Sequence, residues 1–213
     1  MLVLAFDTAT PAVTAALHDG DRVLAESTTV DARRHGELLV PTIQRVLAEA
    51  RVTLREVTTV VAGTGPGPYT GLRVGLMTAQ GLGASLGLPD VYGICTLDAV
   101  AYGSGRTTPF LVATDARRKE VFWARYADLR TRVAGPFVDK PADVPVEGLP
   151  VAGPDLYPDV LGAAVAPPYP LAGFLAALAA ERIAAGTPLD EPRPIYLRRP
   201  DASEPKPPKK VTA

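Results

Sequence analysis

Residues 63–76 read GTGPGPYTGLRVGL and join an apolar run at 57–62, typical of a buried strand, to a helix built on small residues. In this helix a small residue recurs at every fourth position from Gly71 to Gly87, so several of them share one face. Each glycine inside a helix costs about 1 kcal/mol relative to alanine. We therefore expect another backbone to approach this face closely, supplied either by the same chain or by a partner.

The loop before the helix does not match a phosphate-binding loop. It lacks the Gly-Lys-Ser/Thr of a Walker A motif, and Pro66 and Pro68 remove two backbone N–H donors. We interpret it as a rigid, shape-defining loop. Arg73, one turn into the helix, is a candidate partner for an anion or a carboxylate.

Composition limits the class of protein. The chain has 213 residues, 47% of them hydrophobic, with 22 lysines and arginines against 23 acidic residues. This balance does not give the strong basic field of a dedicated nucleic-acid binder, so any contact with RNA would be local or shared with a partner. The single cysteine, Cys95, and an N-terminus without a basic leader or a membrane-length apolar run indicate a cytoplasmic protein with no membrane segment.

Hydrophobic periodicity predicts an α/β chain. Strands are predicted at 2–6, 12–18, 22–28, 57–62, 91–95, 110–114, 120–126, 131–138 and 151–152, and helices at 35–50, 71–87, 97–102, 157–164 and 171–185. The first three strands form an antiparallel meander, because His18-Asp19-Gly20-Asp21 is a hairpin signal. Pro41 predicts a kink in the first long helix or a helix start at that residue. Thr96 is the expected N-cap of the third helix.

The sequence GSG at 103–105 is the candidate boundary between two halves. We predict an N-terminal lobe over 1–103, a smaller C-terminal lobe over 104–199, and a disordered tail rich in proline and lysine over 200–213. Both halves contain consecutive strands followed by helices, which indicates a duplication. The basic cluster in and before the tail suits either RNA phosphates or a solubilising tail, and comprises Arg198, Arg199, Lys206, Lys209 and Lys210.

Two turns carry candidate phosphate-binding residues. Asp7, Thr8 and Thr10 lie between the first two predicted strands, and Asp115 occupies the corresponding place in the second half. A carboxylate and hydroxyls in such a turn can hold a phosphate, with the carboxylate on a metal ion. The same residue types also close tight turns through bonds to their own backbone, and a charged hairpin explains Asp115 equally well. Both interpretations stay open at this point.

No metal centre and no catalytic residue is predicted. The two histidines, His18 and His35, are far apart in sequence, whereas a catalytic zinc or iron site usually takes two or three imidazoles or thiolates. We expect His18 to be exposed beside its hairpin and His35 to start or cap a helix. Cys95 is expected to be a buried structural thiol, and no Gly-x-Ser-x-Gly nucleophile motif is present.

Five segments carry a resemblance to a known family: DTAT at 7–10, HGELLVP at 35–41, GPGPYTGLR at 65–73, DARR at 115–118 and PIYLRRP at 194–200. Together they resemble the TsaB (YeaZ) family, which takes part in making threonylcarbamoyladenosine in bacterial tRNA. The resemblance extends from Leu2 to about residue 202. Pro68-Tyr69 stands where the family commonly shows Ser-Phe, which keeps an aromatic ring but removes a hydroxyl and an N–H.

The resemblance implies an α/β fold of two related lobes, actin-like and sugar-kinase-like (ribonuclease H-like), with mixed sheets flanked by helices. It implies a non-catalytic scaffold or activator subunit of the tRNA N6-adenosine threonylcarbamoyltransferase complex, which modifies tRNA next to the anticodon. The implied partners are the catalytic paralogue TsaD and the ATPase TsaE, with a functional link to the donor-making enzyme TsaC and indirect contact with tRNA. No cofactor is required, although ATP or ADP with Mg bound weakly or at an interface remains an expectation.

The family's docking helices map onto 35–50 and 71–87, and the same surface is expected to form a homodimer when TsaD is absent. The residues expected at this interface are His35, Leu38, Leu39, Thr42, Arg45, Val46, Gly71, Arg73, Val74, Gly75, Thr78, Ala79 and Leu82. Gly75→Leu is accordingly expected to spare the fold and abolish pairing. The alternative function is a nucleotide-dependent small-molecule kinase or ATPase that uses Asp7, Thr8, Thr10 and Asp115. A peptidase finds no support in these residues.

Overall fold

The computed structural model describes residues 1–89 and 91–198. Its helices are α1 (His35–Ala50), α2 (Tyr69–Leu86), α3 (Thr96–Gly103), α4 (Pro158–Leu161) and α5 (Ala172–Ala184). Its strands are β1 (Val3–Asp7), β2 (Ala12–His18), β3 (Val23–Val30), β4 (Thr59–Gly63), β5 (Val91–Ile94), β6 (Phe110–Asp115), β7 (Val121–Asp128), β8 (Thr131–Asp139), β9 (Val151–Ala152) and β10 (Ala164–Val165).

The strands form two sheets of five with the same topology. The first has the order β3-β2-β1-β4-β5, in which β1 runs antiparallel to β2 and parallel to β4. The second has the order β10-β9-β6-β7-β8, with β6 antiparallel to β7 and parallel to β9. Each sheet is thus a three-strand meander followed by two parallel strands, which places Asp7 and Asp115 at equivalent strand ends. The predicted α/β fold class, with mixed sheets flanked by helices, is confirmed.

Most predicted elements are present with bounds shifted by one or two residues. Helix α1 has the predicted bounds and continues through Pro41, which lies on its exposed side, so the helix does not start there. The predicted helix at 157–164 was wrong in extent, because Gly162 with a φ of 80° follows a single turn and Ala164–Val165 forms β10. Thr96 is the first residue of α3 and makes no cap, because its hydroxyl is bonded elsewhere.

The side chains of His18 and Cys95 are both buried. The expectation of an exposed His18 was therefore wrong; its Nδ1 accepts a hydrogen bond from Gly20 N at 3.0 Å, and burial lowers its pKa. Cys95 is confirmed as a buried thiol, and burial raises its pKa to about 12. His35 is confirmed as the first residue of α1.

The first sheet is covered by helices on both faces. Helices α1 and α2 pack on one side against β1, β2 and β4, while α5 packs on the other side, where Leu175 and Ala176 join Val3 and Ala5 in one core cluster. The core of the first sheet therefore includes a helix from the second half of the sequence. The lobe boundary after Gly103 stays a prediction, and the predicted tail at 200–213 lies outside the described residues. In residues 1–89 and 91–198, none of the helices is long and apolar enough to cross a bilayer.

A buried polar network joins the two halves. The Tyr126 hydroxyl of β7 donates a hydrogen bond to Asp98 of α3 at 2.8 Å. The same carboxylate lies 3.2 Å from Arg132 of β8 and 3.6 Å from Arg182 of α5. One buried carboxylate therefore balances two guanidinium groups from different elements.

We expect Asp98→Ala to lower the free energy of unfolding by about 3 kcal/mol, because it leaves Arg132 and Arg182 partly buried without their carboxylate. Tyr126→Phe removes only one hydrogen bond and is expected to cost about 1 kcal/mol. Urea denaturation followed by circular dichroism measures both changes. Equal losses in the two variants would contradict a central role for the carboxylate.

Candidate functional site

The turn after β1 is tied to the glycine-rich loop through the Asp7 carboxylate, which is only 1% exposed. Thr96 Oγ1 donates a hydrogen bond to Asp7 Oδ2 at 2.6 Å, and Ala9 N donates to Oδ1 at 2.7 Å. Gly65 N in turn donates to Thr96 Oγ1 at 2.9 Å. Gly63 has to be glycine, because a Cβ there would collide with Asp7 Oδ2.

The same turn packs directly on the loop and the start of α2. A Cβ at Gly67 would collide with the Ala9 carbonyl oxygen, and one at Gly71 with the Thr8 carbonyl oxygen. Thr8 Oγ1 donates to Gly71 O at 2.7 Å and accepts from Gly75 N at 3.1 Å. The close approach predicted for the small-residue face is thus supplied here by the chain's own turn.

The expectation that Gly75→Leu spares the fold is wrong for the same reason. A Cβ at Gly75 would lie 2.6 Å from Thr8 Oγ1, which is held by two hydrogen bonds. At Gly83, further along the face, a Cβ would collide with the Val91 side chain. Substitutions at these glycines therefore report on folding rather than on pairing.

Burial of the Asp7 carboxylate has an electrostatic consequence. It raises the pKa of Asp7 from 3.8 to about 6, against the lowering effects of the hydrogen bonds from Thr96 and Ala9 and of the His35 charge. Desolvation therefore outweighs the two hydrogen bonds that favour the charged form.

The equivalent turn after β6 is more open. The Asp115 side chain is partly exposed, accepts a hydrogen bond from Arg117 N at 2.8 Å and lies 3.4 Å from the Arg117 guanidinium. Thr10 and Asp115 line a shared cavity of about 180 Å³, into which the two turns converge. Thr114, on the lining of that cavity, has a buried hydroxyl without a hydrogen-bond partner among the described residues.

The structure thus brings Thr10 and Asp115 together but commits Asp7 and Thr8 to contacts within the chain. Phosphate binding by these four residues stays a prediction, and at Asp7 and Thr8 it would require the turn to open. Among the described residues, no group of three or more His, Cys, Asp or Glu side chains is arranged to hold a metal ion.

The predicted docking helices α1 and α2 lie side by side over the first sheet. Of the thirteen residues expected at a partner interface, those already buried in the chain are Leu39, Thr42, Val46, Gly71, Gly75 and Ala79. Those that are half-buried are His35, Leu38, Val74, Thr78 and Leu82, and those that are exposed are Arg45 and Arg73. The first group supports the fold, and only the other seven offer surface to a partner.

We call the outer surface of these two helices the α1–α2 face: Val40, Val74, Met77, Thr78 and Gly81. Val74 and Thr78 were among the predicted interface residues, whereas sequence reasoning missed Val40, Met77 and Gly81. Met77 is 57% exposed and Val40 is 50% exposed. A Cβ on Gly81 would meet no atom within 4 Å, so the chain itself gives no reason for glycine there. No charged residue occurs from Val74 to Pro89, which is an unusual composition for an exposed helix and was the available signal.

A second surface feature lies between the two halves, and we call it the arginine–tyrosine cleft. It has a volume of about 280 Å³ and includes Tyr69, Arg117, Arg118, Tyr196 and Arg198 in its lining. The two tyrosine rings stack with centroids 5.0 Å apart. Sequence reasoning placed Arg198 in the basic cluster near the tail and in the segment 194–200, and did not connect it with Tyr69, because these residues meet only in the folded chain.

The repeated topology of its two mixed sheets defines an α/β protein built from two similar sheets with helices packed on them. The family model described as "TsaD: tRNA N6-adenosine threonylcarbamoyltransferase" matches residues 22–172. TsaB of Escherichia coli, a tRNA threonylcarbamoyladenosine biosynthesis protein, is 38% identical over 129 residues, which covers 59% of this chain and 55% of that protein. The chain belongs to the TsaB (YeaZ) family within this group.

Two further relatives extend the similarity over nearly the whole chain. An uncharacterized protein of Mycobacterium leprae is 47% identical over 207 residues, and the match covers 94% of this chain but 56% of that protein. The solved structure of YeaZ from Pseudomonas aeruginosa is similar with a TM-score of 0.75 and 29% identity, covering 92% of this chain and 99% of its own. The chain thus spans about half of the curated relatives named here and nearly all of the solved YeaZ chain.

We expect Gly71→Ala and Gly81→Ala to change stability in opposite directions, although both are on α2. Gly71→Ala should lower the free energy of unfolding by about 1–3 kcal/mol, because its Cβ meets the backbone of Thr8. Gly81→Ala should raise it by up to about 1 kcal/mol, since the space is open and alanine is the better helix former. Thermal and urea unfolding of both variants measure this. A loss at Gly81 would show that the glycine has a role within the isolated chain.

We expect Asp7 to make the protein less stable as pH rises from about 4 to about 6. In this window the folded chain still binds the proton on Asp7 that the unfolded chain has released, so the free energy of unfolding falls with pH. The full effect of a shift from 3.8 to about 6 is about 3 kcal/mol. Urea unfolding from pH 4 to 7, compared with Asp7→Asn, isolates this contribution from the other carboxylates. Parallel pH profiles for the two proteins would contradict it.

Proposed function

We propose that this protein is a non-catalytic subunit of a tRNA N6-adenosine threonylcarbamoyltransferase complex, in which it binds and activates a catalytic TsaD paralogue. Its membership of the TsaB (YeaZ) family supports this assignment. The observation that carries it is the α1–α2 face, an uncharged and partly apolar surface with a glycine that the chain's own packing does not explain.

Three properties of this face suit a helical partner. Met77 and Val40 offer exposed apolar side chains, and aromatic residues and methionine are enriched where proteins associate. Gly81 lets a second backbone come close, as small residues do between packed helices. The half-buried Val74 and Thr78 continue the surface toward α1, so a partner would cover both helices at once.

The hydrogen bonds of the β1 turn favour a non-catalytic role for this chain. The oxygens of Asp7 and the hydroxyl of Thr8 are committed to Thr96, Ala9, Gly71 and Gly75, which leaves them unavailable to a substrate. In this proposal the catalytic paralogue supplies the reacting groups, TsaE joins the complex, and TsaC provides the donor. The same face forms a homodimer when the paralogue is absent.

A nucleotide-dependent kinase or ATPase is the second candidate function. The observation that favours it is the cavity between the two turns, where Thr10, Thr114 and Asp115 place two hydroxyls and a carboxylate within reach of one small ligand. Calorimetric titration with ATP and magnesium tests it directly. Binding of ATP by the wild-type chain that is lost in Thr114→Val would support this candidate function. If the wild-type chain gives no more heat of binding than Thr114→Val, this candidate function is excluded.

We expect Gly81→Leu to lower the affinity for TsaD at least about thirtyfold, because the new side chain prevents close approach at the centre of the face. The fold should persist, since the position is open in the isolated chain. Ala184→Leu, which adds the same side chain to the exposed end of α5, is the matched control and should pair normally. Analytical ultracentrifugation or calorimetry with purified TsaD measures the pairing.

The activity test uses tRNA modification reconstituted from TsaC, TsaD and TsaE with and without this protein. Modification should require the wild-type chain or Ala184→Leu and should fail with Gly81→Leu. Equal modification in its absence would overturn the proposed subunit role. Normal pairing and activity of Gly81→Leu would leave the role intact but remove the α1–α2 face as its interface.

A further inference from the structure

The segment after α5 returns to the first half of the chain, and we call its residues 190–198 the strap. It begins at the edge of the first sheet, where Gly93 N of β5 donates a hydrogen bond to Asp190 O at 2.8 Å. Further along, Ile195 N donates to Thr64 O, in the glycine-rich loop, at 2.9 Å. Two backbone hydrogen bonds thus attach the strap to the first half.

Side chains of the strap continue the attachment into the second half. Tyr196 stacks on Tyr69, the first residue of α2, with ring centroids 5.0 Å apart. Two residues further on, Arg198 Nη1 donates a hydrogen bond to Ala116 O at 2.7 Å, and the same guanidinium pairs with Glu120. The strap therefore connects the start of α2 with the turn after β6.

The turn that Arg198 contacts has a strained backbone. Arg117, Arg118 and Lys119 all lie in the left-handed region, with φ angles of 60°, 56° and 60°. Residues other than glycine adopt this conformation at a cost in free energy and normally one at a time, because Cβ comes too close to the following carbonyl oxygen. Three such residues in succession concentrate the cost in one short turn. Backbone strain of this kind persists where surrounding contacts fix it.

Arg198 contacts both ends of the strained turn. Its partners, Ala116 and Glu120, flank the three left-handed residues. The same two residues close the turn by a backbone bond, in which Ala116 N donates to Glu120 O at 3.0 Å. The Arg198 side chain is 28% exposed, and its Cζ lies 5.8 Å from the centre of the Phe122 ring, so packing also fixes its position. Arg198 is therefore a positioning residue for the turn.

The turn and the strap form two walls of the arginine–tyrosine cleft. Residues 116–118 belong to one wall and residues 196–198 to another, with residues 67–69 completing the lining. The contacts of Arg198 join the first two walls to each other. If these contacts were lost, the walls could separate and the cleft, which has a volume of about 280 Å³, would widen.

We propose that the strap is a conformational latch, which in its closed state holds the turn after β6 in the strained conformation and keeps the cleft narrow. Strain in the turn favours release, and the contacts of Tyr196 and Arg198 oppose it. Because Tyr196 rests on the first residue of α2, a displacement of that helix end acts on the turn through the strap. The latch is a property of the chain alone and does not depend on the proposed function.

Amide hydrogen exchange of the full chain, followed by NMR, tests the latch at Ala116 N and Glu120 N, whose hydrogen bonds within the turn are both 3.0 Å long. We expect Arg198→Met to accelerate exchange at both amides at least about tenfold, because the turn opens more often without its external contacts. Tyr196→Ala should accelerate them at least about threefold, since the strap loses its attachment to α2. Arg193→Met, at an exposed position of the same strap, is the matched control and should change neither rate.

A glycine substitution tests the contribution of strain. Glycine adopts a φ near 60° without a steric cost, so Lys119→Gly should relax the turn in place. The acceleration caused by Arg198→Met should then be smaller in Lys119→Gly than in the wild-type background. An equal acceleration in the two backgrounds would contradict the stored strain on which the latch depends.

Two further outcomes would overturn the proposal. Unchanged exchange in Arg198→Met would show that the turn is held by its own hydrogen bonds, among them the one from Arg117 N to Asp115. Acceleration in Arg198→Met without any in Tyr196→Ala would make Arg198 a local contact rather than part of a strap. Exchange at the core amides of β1 should stay unchanged, which distinguishes release from general destabilisation. Tyr196→Leu replaces Tyr196→Ala if the latter does not fold.

Discussion

The hydrogen bonds of the buried Asp7 carboxylate hold the turn after β1, the glycine-rich loop and the start of α3 in one arrangement. Thr96 connects this carboxylate with the backbone of Gly65, so a strand end, a loop and a helix meet at a single hydroxyl. The same turn packs directly against the first residues of α2. The glycines of the loop follow from this constraint, because backbone and carboxylate atoms occupy the places of their missing side chains.

The two equivalent turns of the repeated fold have taken different roles. The turn that begins at Asp7 is closed by its contacts with α2, whereas the turn that begins at Asp115 is partly exposed and carries basic residues into a cleft. A buried carboxylate with a raised pKa destabilises the chain at neutral pH, and the hydrogen bonds through which Asp7 holds the loop oppose that cost. The turn after β1 stabilises the fold, whereas the turn after β6 is partly exposed at the surface.

The sequence predicted the fold well where patterns are local. Helix α1 could be predicted with its bounds because its apolar residues keep a helical period over four turns, while β10 was missed because the residues before it were interpreted as a helix over 157–164. The close approach at Gly71 and Gly75 was also predictable, but not whether the chain or a partner supplies it. Gly81 lies outside the four-residue repeat that contains Gly75, and the positions of neighbouring atoms show that Gly75 is packed within the chain whereas Gly81 is not. The arginine–tyrosine cleft escaped prediction because its parts are far apart in sequence.

Helix α2 borders both the arginine–tyrosine cleft and the α1–α2 face. Tyr69 and Arg73 at its start border the cleft, and Met77 and Gly81 lie one to three turns further along on the α1–α2 face. At a rise of 1.5 Å per residue, Tyr69 and Gly81 are about 18 Å apart along the axis. The α1–α2 face and the cleft are therefore separated along this helix by about three turns. Substitutions at Gly81 and at Tyr69 therefore perturb different surfaces of the same helix.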